Sequence, residues 1–253
     1  MSQRVLITGG GSGIGKAMAD SFATEGARVF ITDVSETVLA ECPENWLKMA
    51  GDASDPAHMR DVFARIGSEW GGIDVVCANA GIAGPTALVE DVEPEDFRRC
   101  LAVNLEGAFL AAKYAAPMMK AQKSGVILIT SSNAGINGFP NRAPYAAAKW
   151  AEIGLMKTLA MELGPFGIRA NAIAPGCVEG PRIEGVIERE AKAKGTTPAV
   201  IRAGYEAGVS MRSFVTAQDI ANMAVFLASD GARLVSGQVI PVDGHTENPD
   251  PKV

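Results

Sequence analysis

The sequence predicts an α/β protein: a single domain built on a doubly wound, seven-stranded parallel sheet with helices on both faces. Three observations lead there. Seven short apolar runs recur along the chain with helix-patterned stretches between them, the alternation of βαβ units. The runs are apolar almost throughout instead of alternating, as strands covered on both faces must be. The first run ends in a glycine-rich turn that opens the first helix.

In order, strands are expected at residues 4–8 (RVLIT), 28–32 (RVFIT), 46–50 (WLKMA), 73–78 (IDVVCA), 126–130 (VILIT), 168–174 (IRANAIA) and 238–242 (QVIPV). Apolar spacing with start and stop signals gives helices at 13–25, 56–69, 94–121, 143–163 and 217–228. Pro117 is expected to kink the third of these or end it early. Between Pro175-Gly176 and Phe214 the connection is far longer than an ordinary strand-to-helix link. It holds two amphipathic stretches, RIEGVIEREAKAK and TPAVIRAGYEAG, and reads as a substrate lid over about 177–214. The catalytic domain then spans 1–246, and the tail 247–253 (ENPDPKV) has little to pack and is expected to fray.

Composition narrows the function. Of 253 residues 47% are apolar and 21% charged, which suits a large core and not a disordered chain. The net charge is −6 and no block of basic residues could neutralise a phosphate backbone, so nucleic acid is not expected as a partner. No apolar run is long enough to span a membrane, and MSQRVLITGG lacks the pattern of an export signal; a cytoplasmic protein is expected. Cys42, Cys77, Cys100 and Cys177 are scattered singly, and His58 and His245 are the only histidines. Reduced thiols are the expectation, without disulfides or a metal site.

The turn TGGGSGIG, residues 8–15, joins the first strand to the first helix. Glycines let the chain turn tightly and let a pyrophosphate approach the backbone, while the helix N-terminus turns unpaired N–H groups toward the anion. That is the context a dinucleotide site requires, and it makes the fold Rossmann-like. Asp33 closes the second strand eighteen residues after Gly15, where a carboxylate would hold the adenosine ribose hydroxyls. A carboxylate there repels a 2′-phosphate. No Arg or Lys occurs at Gly10, Gly11, Ser12, Val34 or Ser35, so NAD is the expected cofactor. In the helix at 143–163, Tyr145 and Lys149 stand one turn apart on one face.

Together the glycine turn, NAG (79–81), ITSS (129–132), Tyr145-x-x-x-Lys149 and PG (175–176) occur in the order found in the short-chain dehydrogenase/reductase family, which the chain resembles from about residue 2 to 244. The resemblance implies a general acid/base at Tyr145, a supporting Lys149, a substrate-binding Ser132 and a water-anchoring Asn104. It also implies a cofactor bed of Gly9, Ser12, Gly13, Ile14, Gly15, Asp33, Asp52, Ala53, Asn79, Ala80, Gly81, Tyr145, Lys149, Pro175, Gly176 and Val178. Asp52 would reach the adenine amino group. Relatives pair through the long helices after the fourth and fifth strands, which implies a homotetramer.

The chemistry of that set is plain. A phenol with a pKa of about 10 is a poor base at neutral pH, and a nearby ammonium favours the phenolate. Tyr145 would take the proton of a substrate alcohol, and Ser132 would hold the substrate oxygen. The expected function is NAD(H)-dependent interconversion of a small-molecule secondary alcohol and its ketone. Two alternatives stand beside it: an NADP(H)-dependent 3-oxoacyl carrier-protein reductase, and a non-catalytic NAD-sensing protein that would not need Tyr145 or Lys149.

The sequence also departs from the family's pattern. In PGCVEGPR, Gly180 stands where many relatives carry a threonine that holds the nicotinamide carboxamide. His245 stands where they commonly carry glycine, and is expected to be exposed. The segment 179–212 has six basic and five acidic residues, so its net charge does not identify a substrate. Arg182 is the cation best placed to meet a substrate anion, unless it pairs with Glu179. Asn133, Phe139 and Trp150 are candidate pocket walls, and Tyr114 and Tyr205 read as packing or lid residues; Ser131 is the alternative functional serine, with Ser132 then a turn residue, but the thirteen-residue spacing to Tyr145 favours Ser132.

Overall fold

A computed structural model describes residues 2–250. Seven parallel strands form one sheet: β1 (Arg4–Thr8), β2 (Arg28–Asp33), β3 (Leu47–Ala50), β4 (Val75–Ala78), β5 (Gly125–Thr130), β6 (Ile168–Pro175) and β7 (Val239–Val242). Their order is β3-β2-β1-β4-β5-β6-β7. The order reverses between β1 and β4, and a doubly wound sheet opens its ligand crevice at that switch point.

Successive side chains of each strand feed opposite faces. Leu6, Phe30, Val76, Ile127 and Ala170 pack against α3 (Pro56–Trp70), α5 (Gly107–Gln122) and α6 (Ala143–Leu163). Val5, Ile7, Ile31, Cys77 and Leu128 pack against α1 (Gly13–Thr24) and α9 (Ala217–Ala228). Ala108, Ala111, Ala112 and Ala115 are buried along α5, so small side chains let this helix lie close to the sheet.

Three local features differ from expectation. A short helix, α2 (Glu36–Ala40), follows β2, capped by the Ser35 hydroxyl accepting from Val38 N at 3.4 Å. The expected helix at 94–121 is instead α4 (Pro94–Leu101), a π-helical segment Ala102–Glu106, and α5. Asn104 Nδ2 donates to the Cys100 carbonyl at 2.8 Å, competing for an acceptor that an α-helix would give to the Asn104 backbone. Pro117 does not end α5, which continues to Gln122. Both Pro117 and Lys113, whose carbonyl loses its partner, lie on the exposed face, where water can serve that carbonyl.

The long connection holds α7 (Pro181–Lys194) and α8 (Pro198–Ala207). Ile187, Ala191, Ile201, Tyr205 and Phe214 give them a small core of their own. The tail does not fray as far as it is described. Glu247 N and Asn248 N donate to the Gly208 carbonyl at 2.8 and 3.1 Å, and Asp250 pairs with Lys194 at 3.3 Å. Residues 251–253 lie outside the described ones. Among the described residues no helix is long and apolar enough to cross a membrane.

Candidate active site

A cavity of about 690 Å³ opens at the C-terminal ends of the strands and extends beneath α7. At one end is the glycine turn. A Cβ on Gly15 would run into the Gly9 carbonyl oxygen, so only glycine allows α1 to start this close to β1. Asn79 fixes the turn from β4: its Nδ2 donates to the Thr8 and Gly9 carbonyls at 3.2 Å each, and Thr8 Oγ1 accepts from Asn79 N and Ala80 N at 3.0 Å. Ser12 caps α1 without a side-chain bond, and the Cβ position of Gly13 faces open space. Uncapped N–H groups beside an open face fit the phosphates of a dinucleotide.

Asp33 lines the same end. Its Oδ2 accepts from Gly11 N at 3.1 Å and its Oδ1 from Ser35 N at 3.2 Å, which fixes the carboxylate at the tip of β2. Asp52 and Ala53 also line it, but Asp52 is engaged within the chain. Its Oδ1 accepts from Ser54 N and Oγ at 2.8 and 2.7 Å, and its Oδ2 from Arg99 Nη2 at 2.8 Å. Burial pushes this carboxyl up, yet the Ser54 bonds and the Arg99 guanidinium outweigh it and hold it below the ordinary range. Arg99, not singled out in the sequence, is therefore part of this wall.

The other end carries Ser132, Tyr145 and Lys149. Ser131 and Ser132 divide their work. Ser131 Oγ donates to the Lys149 carbonyl at 2.9 Å, pinning α6 to the end of β5, while Ser132 Oγ donates to Asn133 Oδ1 at 3.2 Å and accepts from Ala134 N at 3.1 Å; both serines line the cavity. Burial is the largest influence on the Tyr145 phenol and pushes it up. Lys149, then Arg182, the neighbouring Ser132 hydroxyl and Arg142 together pull it below its ordinary value. Lys149 Nζ lies 5.6 Å from the Tyr145 ring centroid and donates to the Thr130 carbonyl at 2.9 Å and to Glu152 Oε1 at 2.8 Å.

Asn104 is fully buried outside the cavity lining, with Nδ2 on the Cys100 and Ile82 carbonyls and Oδ1 without a partner. A Cβ on Gly81 would press on that oxygen and approach Lys149 Nζ, so the three residues converge on one spot. Pro175, Gly176 and Val178 line the cavity where β6 ends. Gly180 has φ 134° and leads into Pro181 at the start of α7. That backbone region is essentially confined to glycine, which accounts for the missing threonine.

Asn133 and Phe139 line the cavity, whereas Trp150 is exposed and donates to the Asn137 carbonyl. Tyr205 is a lid residue stacked near Phe139, and Tyr114 packs against Phe63. His245 is exposed and has φ 67°, the left-handed region that glycine adopts most readily. Glu179 pairs with Arg202 at 3.2 Å, not with Arg182. Glu152 and Arg142 went unnoticed in the sequence. Glu152 had a signal, its spacing of three from Lys149 on one helix; the burial of Arg142 had none.

A family model described as enoyl-(acyl carrier protein) reductase matches residues 9–245. The chain is similar to an uncharacterized oxidoreductase of Thermotoga maritima, 38% identical over 95% of each chain. It is also similar to levodione reductase of Leifsonia aquatica, 36% identical over 95% of this chain and 92% of the relative. The crystal structure of an NAD⁺-bound xylitol dehydrogenase superposes with a TM-score of 0.92 at 30% identity, covering 95% of this chain and 97% of that one.

Proposed function

The chain belongs to the short-chain dehydrogenase/reductase family, and on that premise we propose that it is an NAD(H)-dependent oxidoreductase interconverting a secondary alcohol and its ketone. The observation that carries this reading is the Tyr145 phenol, drawn below its ordinary pKa beside Lys149 and Ser132 in the same cavity as the glycine turn. A bound nicotinamide supplies the hydride acceptor for oxidation and the donor for reduction.

The chain's own residues do the rest. Gly9, Ser12, Gly13, Ile14 and Gly15 cradle the phosphates, and Asn79, Ala80 and Gly81 support that cradle. Asp33 takes the adenosine ribose hydroxyls, with Asp52 and Ala53 beside the adenine. Pro175, Gly176 and Val178 form the wall at the nicotinamide end. Ser132 Oγ holds the substrate oxygen, and Tyr145 Oη accepts its proton in oxidation and returns it in reduction. Lys149 supports the phenolate and holds the nicotinamide ribose. Asn104 anchors water behind Lys149, a role that its partnerless Oδ1 supports.

The preference for NAD rests on the Asp33 carboxylate and the lack of a cation at its neighbours. Parallel titration with NADH and NADPH, read by nicotinamide fluorescence, tests it. Tighter binding of NADH is expected, followed by oxidation of secondary alcohols with NAD⁺ and no turnover by Tyr145→Phe. Tighter binding of NADPH would sink the Asp33 argument and bring forward the 3-oxoacyl carrier-protein reductase reading. A cytoplasmic homotetramer completes the proposal. Four free thiols support a reducing compartment, and exposed Phe109 on α5 with Trp150 and Met161 on α6 supports pairing through those helices. Light scattering that reports a monomer would dispose of the assembly.

A further inference from the structure

The reacting end of the cavity holds positive charge that the chain itself does not balance. Arg142, immediately before α6, lines the cavity and is 7% exposed. Its Cζ lies 4.9 Å from the Tyr145 ring centroid. Nη2 donates to the Ala83 carbonyl at 3.1 Å, but Nε is buried with no hydrogen-bond partner. Arg182 of α7 reaches to 6.0 Å from the same ring, held through Nη1 by the Gly81 carbonyl at 3.0 Å. Among the described residues neither guanidinium forms an ion pair. Glu179, the acidic side chain lining the cavity nearest to Arg182 in sequence, is taken by Arg202.

A buried guanidinium without a counter-charge destabilises the fold. Such a cost is tolerated where the missing anion arrives with a ligand. The phosphates of a dinucleotide have their own place at the start of α1, on another side of the cavity. Around the two arginines the walls are Phe139, Cys177, Ile183 and Val186, which suit a hydrocarbon frame.

We infer that the substrate is a hydroxy carboxylic acid or the matching oxo acid, its carboxylate bound by Arg142 and Arg182 while its hydroxyl or carbonyl oxygen meets Ser132 and Tyr145. A guanidinium fork matches a planar carboxylate, and two of them favour it strongly over an uncharged isostere. The assignment of the reacting oxygen rests on the oxidoreductase reading; the anion site does not.

The test separates the two. Calorimetric titration of the NADH-saturated protein with butyrate, benzoate and cyclohexanecarboxylate, each beside its primary amide, reads the anion site without turnover. At least one acid is expected to bind tenfold or more tightly than its amide. That preference should fall below threefold in Arg142→Gln, and fall also in Arg182→Ala, where the exposed position carries little folding risk. No acid preference in the unsubstituted protein, or one that survives both substitutions, would overturn the inference. Acid preference without oxidation of any of 3-hydroxybutyrate, mandelate and 4-hydroxycyclohexanecarboxylate by NAD⁺ keeps the anion site and overturns the hydroxy-acid substrate; failure of neutral secondary alcohols as well would overturn the oxidoreductase reading. Oxidation of neutral alcohols with no acid preference overturns the anion site and keeps the oxidoreductase reading.

Discussion

Lys149 Nζ lies 2.8 Å from Glu152 Oε1, and both side chains are buried, at 3% and 1% exposure. A carboxylate one turn beyond the lysine opposes the effect that Lys149 exerts on Tyr145. Burial raises the Glu152 carboxyl to about 7, with Lys149 and Arg182 as the charges that face it and pull it down. Its negative charge is therefore complete only above that pH.

Glu152→Gln fixes this position as neutral at all pH. The limb of the pH–rate profile that reports Tyr145 should move to lower pH by roughly half a unit to one unit, because Lys149, Arg182 and Arg142 then act on the phenol unopposed. The same variant changes linkage to stability. A carboxyl raised in the folded state binds protons that the unfolded chain has released between about 4.5 and 7. The wild type thus loses stability as pH rises through that window, and the variant should not. A profile that stays in place while the melting temperature changes would reduce Glu152 to a structural role.

Gly15→Ala should weaken NADH binding more than tenfold, since the added Cβ must displace the Gly9 carbonyl or the Asn79 amide that shapes the phosphate turn. Fluorescence titration measures this, with a melting curve to record the accompanying strain. An affinity within threefold of the wild type would mean that the turn yields without losing its shape.

At the base of the sheet Arg4 grips Asp74: Nη2 to Oδ1 at 2.7 Å, and Nε and the backbone N to Oδ2 at 2.9 and 2.8 Å. Burial raises the Asp74 carboxyl, but the Arg4 bonds and charge outweigh it and leave it below the ordinary range. A depressed carboxyl stabilises the fold above its ordinary pKa of about 4 and ceases to do so as pH falls through its folded value. Asp74→Asn should cost about 1–3 kcal/mol at neutral pH and flatten the acid limb of the stability curve. Urea unfolding at pH 7 and pH 3 checks both, and equal losses at the two pH values would contradict the linkage.

The elements that sequence made legible are those whose signal is local or periodic. The glycine turn and Asp33 sit at the ends of apolar strands, and Tyr145 and Lys149 share a helix face, so spacing alone brings each set together. What stayed hidden depends on where distant segments meet. The five residues of α2 are too few to show a period, and the π-helical segment holds an asparagine amide on a carbonyl that an α-helix would use for its backbone. Pro117 survives because its face of α5 is exposed, and Asp52 is engaged because α4 brings Arg99 to it. The tail holds because Gly208 lies in reach of Glu247 and Asn248. Burial of Arg142 is likewise a property of the packed protein and not of the run PNRAPY.

Gly180 carries a consequence for redesign of the lid. At φ 134° the backbone admits glycine and resists a side chain, so a threonine placed there would strain the entry into α7 before its hydroxyl could reach anything. A single substitution at this position therefore cannot supply a threonine hydroxyl unless the path into Pro181 changes with it. The residue thus commits this lid to an entry of its own, and a change of substrate is to be sought in α7 and α8.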